Sequence, residues 1–367
     1  MTSEDLYPKS NVMRVLFLYV GQGEATLFLV PDGLGGHISM LVDCNYSPSL
    51  NGIDLPCFLA DTLPKNSKGR PVLDLFVNTH PHSDHLGGLK ALRQAIEIQN
   101  VWHSGHNPGR EHGDAYKELQ TLMKEVEDRK GKVEELQGSR TAVKFGAAEV
   151  HILAPAEYVK DEIADEKAET RYQRIHEHCA VLRVRYGSAG KKVGVLVTGD
   201  ADKAAWENHI TDYHGAKEEN RLKSEILSAS HHGSRTFFKT DEDDDKPYTK
   251  HLDYIQPERL VISAPAQKDS PHDHPHDDAL ELYQTYIETD CIHHMGAGRW
   301  SFQLDVDDKG DYELEEDRGK IADEYPASDD DEKSDKGGGS GGTKATIAST
   351  PISRVGKTHP MGMPSER

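Results

Sequence analysis

VNTHPHSDHLGGL, residues 77–89, sets three histidines and an aspartate within the six positions His80–His85, directly after the apolar run VLDLFVNT. The run has the length and composition of a buried strand. His80 and His82 lie two apart, so an extended backbone points both the same way. Asp84 and His85 follow where the chain turns into HLGGLKALRQAIEI, whose Leu86, Leu89, Leu92 and Ile96 share one helical face. That spacing predicts two adjacent metal positions, one held by His80 and His82, the other by Asp84 and His85. A solvent-exposed histidine loop is the plain alternative. It accounts poorly for four ligand groups held between a buried strand and a Gly-Gly helix start.

Other strand ends carry the same kinds of residue. VLVTGDA places Asp200 at the end of an apolar strand, where a carboxylate can bridge two cations. SASHHGS places His231 and His232 at the end of the next, and PHDHPHDDAL brings His272, His274 and His276 just after LVISAP. Upstream, NVMRVLFLYVGQGEATLFLVPD reads as two strands around a Gly-Gln-Gly turn, and HISMLVDCN as a third that ends at Asp43. NVWHSG, EVHILAP, CAVLRVRYG and RWSFQLDV read as further strands. Helical periodicity marks about Asp114 to Leu136, ADKAAWENHI and DDALELYQTYIE. Strands precede helices in both halves, and four histidine- or aspartate-bearing strand ends converge on one site.

In this order and combination, YVGQGEATLFLV, LVDCN, THPHSDHLGGL, VLVTGDA, SASHHGSR and HPHDDAL resemble the metallo-β-lactamase fold superfamily. Within it, the chain is most similar to the soluble hydrolase domain of the competence protein ComEC and its free-standing relatives. The resemblance spans roughly residues 14–305. It implies an α/β fold, an αββα sandwich with a dinuclear metal centre at one sheet edge, in a hydrolase domain of residues 1–320. It implies His80, His82, Asp84, His85 and Asp200 as ligands, with His274 completing the second site. One histidine of the His231–His232 pair belongs at the metals or the scissile group, with His231 favoured. The group's Asn-Asn-x-Ser is replaced here by HEHC, so His178, or alternatively His176, can supply a third ligand at the first site. The group's Gly-Gln-Gly-Asp is Gly-Gln-Gly-Glu, which moves the charge of Glu24 outward by a methylene. The membrane channel of ComEC has no counterpart, and DNA transport does not follow.

Composition narrows the function. No apolar run approaches the ~20 residues needed to span a bilayer, and MTSEDLYPKS lacks the pattern of a secretion signal. Four scattered cysteines form no CxxC pair, which points to a reducing, cytoplasmic setting. The net charge of −20 opposes nonspecific attraction to nucleic acid or anionic lipid. Residues 321–367, with GGGSGG and an acidic run, read as a flexible low-complexity tail.

Mixed histidine and carboxylate ligands suit two divalent transition-metal ions, with Zn expected and Mn or Fe compatible. Cations held ~3.5–4 Å apart lower the pKa of a shared water and hold an electrophile against it. Asp84 is then expected to orient the nucleophile, and His231 or His232 to stabilise developing charge or protonate the leaving group. Ser234 and Arg235 are candidate phosphate contacts, as are His106, Arg110 and His112 in HSGHNPGREHGD. The leading expectation is a phosphodiesterase acting on a small phosphodiester or a short nucleic-acid end. A ComEC-like DNA nuclease and a lactonase, thioesterase or β-lactamase-type hydrolase are alternatives from the same chemistry. An interaction protein with an inert domain is the non-enzymatic one, and the intact ligand set speaks against it. No protein partner is indicated.

Overall fold

A computed structural model describes residues 6–108, 113–164, 166–167, 171, 174–215 and 220–328. The strands are β1 (Val12–Phe17), β2 (Thr26–Pro31), β3 (His37–Val42), β4 (Val72–Asn78), β5 (Glu97–His103), β6 (Val133–Glu135), β7 (Val143–Phe145), β8 (Ala148–Ala154), β9 (Val181–Ser188), β10 (Lys191–Val197), β11 (Ile226–Ser228), β12 (Arg259–Ile262), β13 (Ile292–His294), β14 (Phe302–Asp307) and β15 (Tyr312–Glu316). Eight form one sheet in the order β15-β14-β1-β2-β3-β4-β5-β6, and seven form the other, β13-β12-β11-β10-β9-β8-β7.

Strand alternation divides the apolar side chains among three cores. In β1, Val15 and Phe17 face the core between the sheets, where they meet Val184 and Val195, while Leu16 faces outward. Outside the first sheet, Leu16 and Leu27 pack with Phe58, Leu89, Leu92, Leu119 and Leu122 from the helices α1 (Leu55–Thr62), α3 (Leu89–Ala95, after the short α2, Ser83–Leu86) and α4 (Gly113–Asp128). Outside the second, Leu196, Leu227 and Leu260 pack against Trp206, Ile210, Leu252 and Tyr283. The layers are helix, sheet, sheet, helix, the expected αββα sandwich.

Parallel pairs β3·β4·β5 and β10·β11·β12·β13 send their C-terminal ends to one side of the sandwich. The loops leaving those ends carry Asp43, His80–His85, Asp200, His231–His232 and His272–His276. Ligands commonly sit at the carboxyl ends of parallel strands.

Two boundaries differ from the sequence reading. The helix expected over about Asp114–Leu136 stops at Asp128, because Lys130 and Gly131 break it and Val133–Glu135 joins β5 in parallel. The ordered chain also runs past residue 320. A helix at Lys320–Glu324 buries Ile321 and Ala322 in the first outer core, and Pro326 bridges to Ile53. The tail from residue 329 lies outside the described residues.

Candidate metal centre

At the end of β4, His80 and His82 turn toward His176 and Asp200, and the four ligand atoms lie within 4.8 Å of one another. Asp84, His85, Asp200 and His232 form a second such group. Asp200 belongs to both. Its Oδ2 lies 3.5 Å from His80 Nε2 and 3.6 Å from His176 Nε2, and its Oδ1 lies 3.0 Å from His85 Nε2 and 3.6 Å from His232 Nε2.

Hydrogen bonds behind the rings assign the tautomers. His85 Nδ1 donates to Asp43 Oδ2 at 2.7 Å, and His232 Nδ1 donates to the Ser263 carbonyl at 2.9 Å. Thr79 Oγ1 donates to Asp43 at 2.5 Å and so receives the His80 Nδ1 proton at 3.1 Å. In the neutral rings, Nε2 of His80, His85 and His232 is therefore a bare lone pair. Those lone pairs face the carboxylate oxygens of Asp200, neither of which has a hydrogen-bond partner among the described residues. His85 and His232 bring two such nitrogens within 3.2 Å. Three imidazole lone pairs converging on a buried carboxylate are unfavourable unless positive charge enters between them. The donor set therefore fits two divalent cations, with the Nδ1 partners fixing ring orientation from behind.

The electrostatics show how strongly the two carboxylates draw positive charge, as a proton or a cation, into the site. Burial pushes the Asp84 and Asp200 carboxyls up, but the surrounding imidazoles outweigh it and hold both well below the usual range. Burial pulls His85 down, yet Asp200 and Asp43 lift it well above an ordinary histidine. Glu24, behind His85, is pushed up to about 7 by burial and then by Asp43, and it accepts from Ser228 Oγ at 3.1 Å. Gly23 allows this approach. Its φ is +137°, and a Cβ there would come 2.2 Å from the Asp84 carbonyl.

Several expected site residues fall elsewhere. His178 belongs to neither group. Its ring is buried 5.4 Å from that of His106, and neither of its nitrogens has a hydrogen-bond partner among the described residues. His176, two residues earlier, takes the inward position. Of the histidine pair, His232 enters the second group, whereas His231 sits at its margin with Nε2 3.5 Å from Asp200 Oδ2. His274 is in neither group. Its Nδ1 faces Gln22 Nε2 at 3.2 Å, and burial followed by His231 and His232 pushes its pKa down to about 2.

Ser234 Oγ accepts from Thr236 N and caps the turn that follows. Arg235 is tied to Asp278 at 3.1 Å. Arg110 and His112 lie outside the described residues. In the acidic run at 241–246, Asp244 accepts from Lys203 Nζ at 2.8 Å and from the Thr240 and Lys246 amides. Asp43 and Gln22 were not singled out as site residues from the sequence. Asp43 bears the same signal as Asp200, a carboxylate ending a buried strand, and Gln22 lies inside the Gly-Gln-Gly turn.

Both groups lie beneath a cleft of about 870 Å³ lined by Gln22, Asn45, Tyr46, Asp84, His231, His274 and His276, among others. The metallo-beta-lactamase superfamily model matches residues 35–231, which include His80–His85, His176 and Asp200. The chain belongs to the metallo-beta-lactamase superfamily. Members of this superfamily are largely hydrolases.

Solved structures similar to this metallo-beta-lactamase superfamily chain include the metallo-beta-lactamase fold protein YhfI from Bacillus subtilis. That pair shares 13% identity over 77% of this chain and 95% of the other, with a TM-score of 0.40. A diphosphatase from the PhnP family is similar at 14% identity over 83% and 98% of the two chains, with a TM-score of 0.35. ST1585 from Sulfolobus tokodaii is similar at 18% identity over 50% and 62%, with a TM-score of 0.25. A search of curated proteins returns no match. No helix among the described residues is long and apolar enough to cross a membrane.

Proposed function

We propose that the chain is a metal-dependent phosphodiesterase acting on a small phosphodiester or a nucleic-acid end. The observation that carries this reading is the pair of histidine–carboxylate groups sharing Asp200 at the floor of an open cleft. His80, His82, His176 and Asp200 would hold one divalent cation, and Asp84, His85, His232 and Asp200 the other. Zn is expected, with Mn or Fe compatible. When bound, such a pair supplies Lewis acidity that activates water and polarises a phosphoryl oxygen.

The chain's own residues supply orientation. Asp84 belongs to the second group and also lines the cleft, reaching His232 Nε2 at 3.4 Å, and it is assigned to orient the attacking water while holding the cation. His231 also lines the cleft; its Nδ1 donates to Thr236 Oγ1 at 2.9 Å, which leaves its Nε2 lone pair facing Asp200 Oδ2, and it is assigned as a further nitrogen ligand beside the shared carboxylate. The Gln22 amide and the His274 and His276 imidazoles line the cleft beside Tyr46, Leu50 and Pro271, and these polar groups suit phosphate oxygens. The net charge of −20 favours a small substrate over a long polyanion, whose approach it opposes over a Debye length of about 8 Å.

Purified protein is expected to carry close to two transition-metal ions per chain and to cleave bis-p-nitrophenyl phosphate and a dinucleotide faster than a lactone or a cephalosporin. Asp200→Ala is expected to lose metal and hydrolysis together, and full activity in that variant would remove the di-metal reading. Plasmid cleaved efficiently at low salt, and less as salt rises, would place the ComEC-like nuclease first.

A further inference from the structure

The HPH segment, His274-Pro275-His276, has the opposite hydrogen-bonding polarity to the metal groups. Ser270 Oγ accepts from the backbone amides of His272 and His274, at 3.3 and 3.0 Å, so its one proton goes to Gln22 Oε1 at 3.0 Å. That bond orients the Gln22 amide and aims its NH₂ at His274 Nδ1, 3.2 Å away. His274 Nδ1 is therefore an acceptor, and the ring proton of the neutral imidazole sits on Nε2. His276 reaches the same state by a different route: its Nδ1 accepts the backbone N–H of Arg235 at 3.0 Å. The two rings lie 4.8 Å apart, both line the cleft, and neither Nε2 has a hydrogen-bond partner among the described residues. Gly233 holds the loop in register with the metal groups. At φ +82°, its Cβ would fall 2.6 Å from that of Pro275, so a larger residue would push HPH away from His232.

We propose that His274 and His276 form a two-point anion subsite on the cleft wall, offering two Nε2–H donors to the non-bridging oxygens of the substrate phosphate. This rests on the phosphodiesterase reading for its place in the reaction. His80, His85 and His232 turn an Nε2 lone pair toward Asp200, whereas these two present a proton to the cleft. They bind the anion and leave the cations to the other histidines.

The test uses the metal-loaded full chain and inorganic phosphate as the probe. Nitrogen-15 spectra are expected to show His274 and His276 as neutral Nε2–H tautomers. The double variant His274→Ala/His276→Ala is expected to keep its metal content and bind phosphate about tenfold more weakly or worse, the scale of two neutral hydrogen bonds. Gln22→Glu replaces the donor by an acceptor, so the His274 proton is expected to move to Nδ1 and phosphate affinity to fall. An Nδ1–H tautomer in the unaltered protein, metal lost on His274→Ala, or unchanged phosphate affinity in the double variant would each overturn the subsite. A protein with the expected spectra and phosphate binding that cleaves no phosphodiester would instead overturn the reading it rests on.

Discussion

Asp200 serves two ligand groups because its oxygens diverge from the end of β10 toward two different pairs of imidazoles. Which histidine of HEHC joins it depends on one turn. Residues 175–178 form a turn rather than a strand, so His176 and His178 face opposite surroundings. His176→Ala is expected to reduce metal retention at the first site, with rate partly restored by excess metal. His178→Ala should keep its metal content and alter only the packing against His106. Elemental analysis with a metal titration separates the two. The cluster His80–His85 was legible in the sequence because a strand end and a helix start fix its directions locally. The choices between His176 and His178, and between His231 and His232, were not legible. Both depend on left-handed or turn backbone, such as φ 49° and 57° at His231 and His232, that composition does not encode.

Among the elements, the helix Lys250–Ile255 carries a histidine that has nothing to do with metal. His251 is fully buried, its ring 4.0 Å from that of Phe237 and 5.3 Å from that of Tyr248, and burial pushes its pKa down to about 3. The folded protein thus keeps His251 neutral where the unfolded chain protonates it, so stability falls as pH drops from about 6.5 toward 3. The loss is about 1.4 kcal/mol per pH unit, or about 2 kcal/mol between pH 6.5 and 5. His251→Phe is expected to narrow the gap in Tm between pH 7 and pH 5, and an unchanged gap would show that the ring is solvated. Buried strands such as β4 and β10 were legible from their continuous apolar runs. β7, β13 and β15 were not, since these strands are short and half-exposed, too brief for an apolar pattern to stand out, and are set by their neighbours.

For the whole molecule, the αββα order was legible only through the resemblance carried by the strand-end motifs, and the chain's return to its starting sheet was not legible. Local pattern cannot reveal that β14 pairs with β1. The last described elements still contribute to the first outer core through Ile321. A chain ending at Ser328 is therefore expected to keep kcat/KM on a small phosphodiester, whereas one ending at Gly319 should lose stability. A large loss of kcat/KM in the longer of the two would mean that residues beyond Ser328 act at the cleft.

The β1–β14 pairing also sets a schedule for synthesis. Arg14 and Asp305 meet as an ion pair across 291 residues. At about 5–20 residues per second on a ribosome, β1 waits roughly 15–60 s before β14 emerges. For that interval one side of β1 is an open strand edge, the kind of surface on which nascent chains pair wrongly with one another. The newborn protein is thus most vulnerable to aggregation just before its second-to-last strand appears, and a chaperone that shields that edge should raise its yield more than one acting after release.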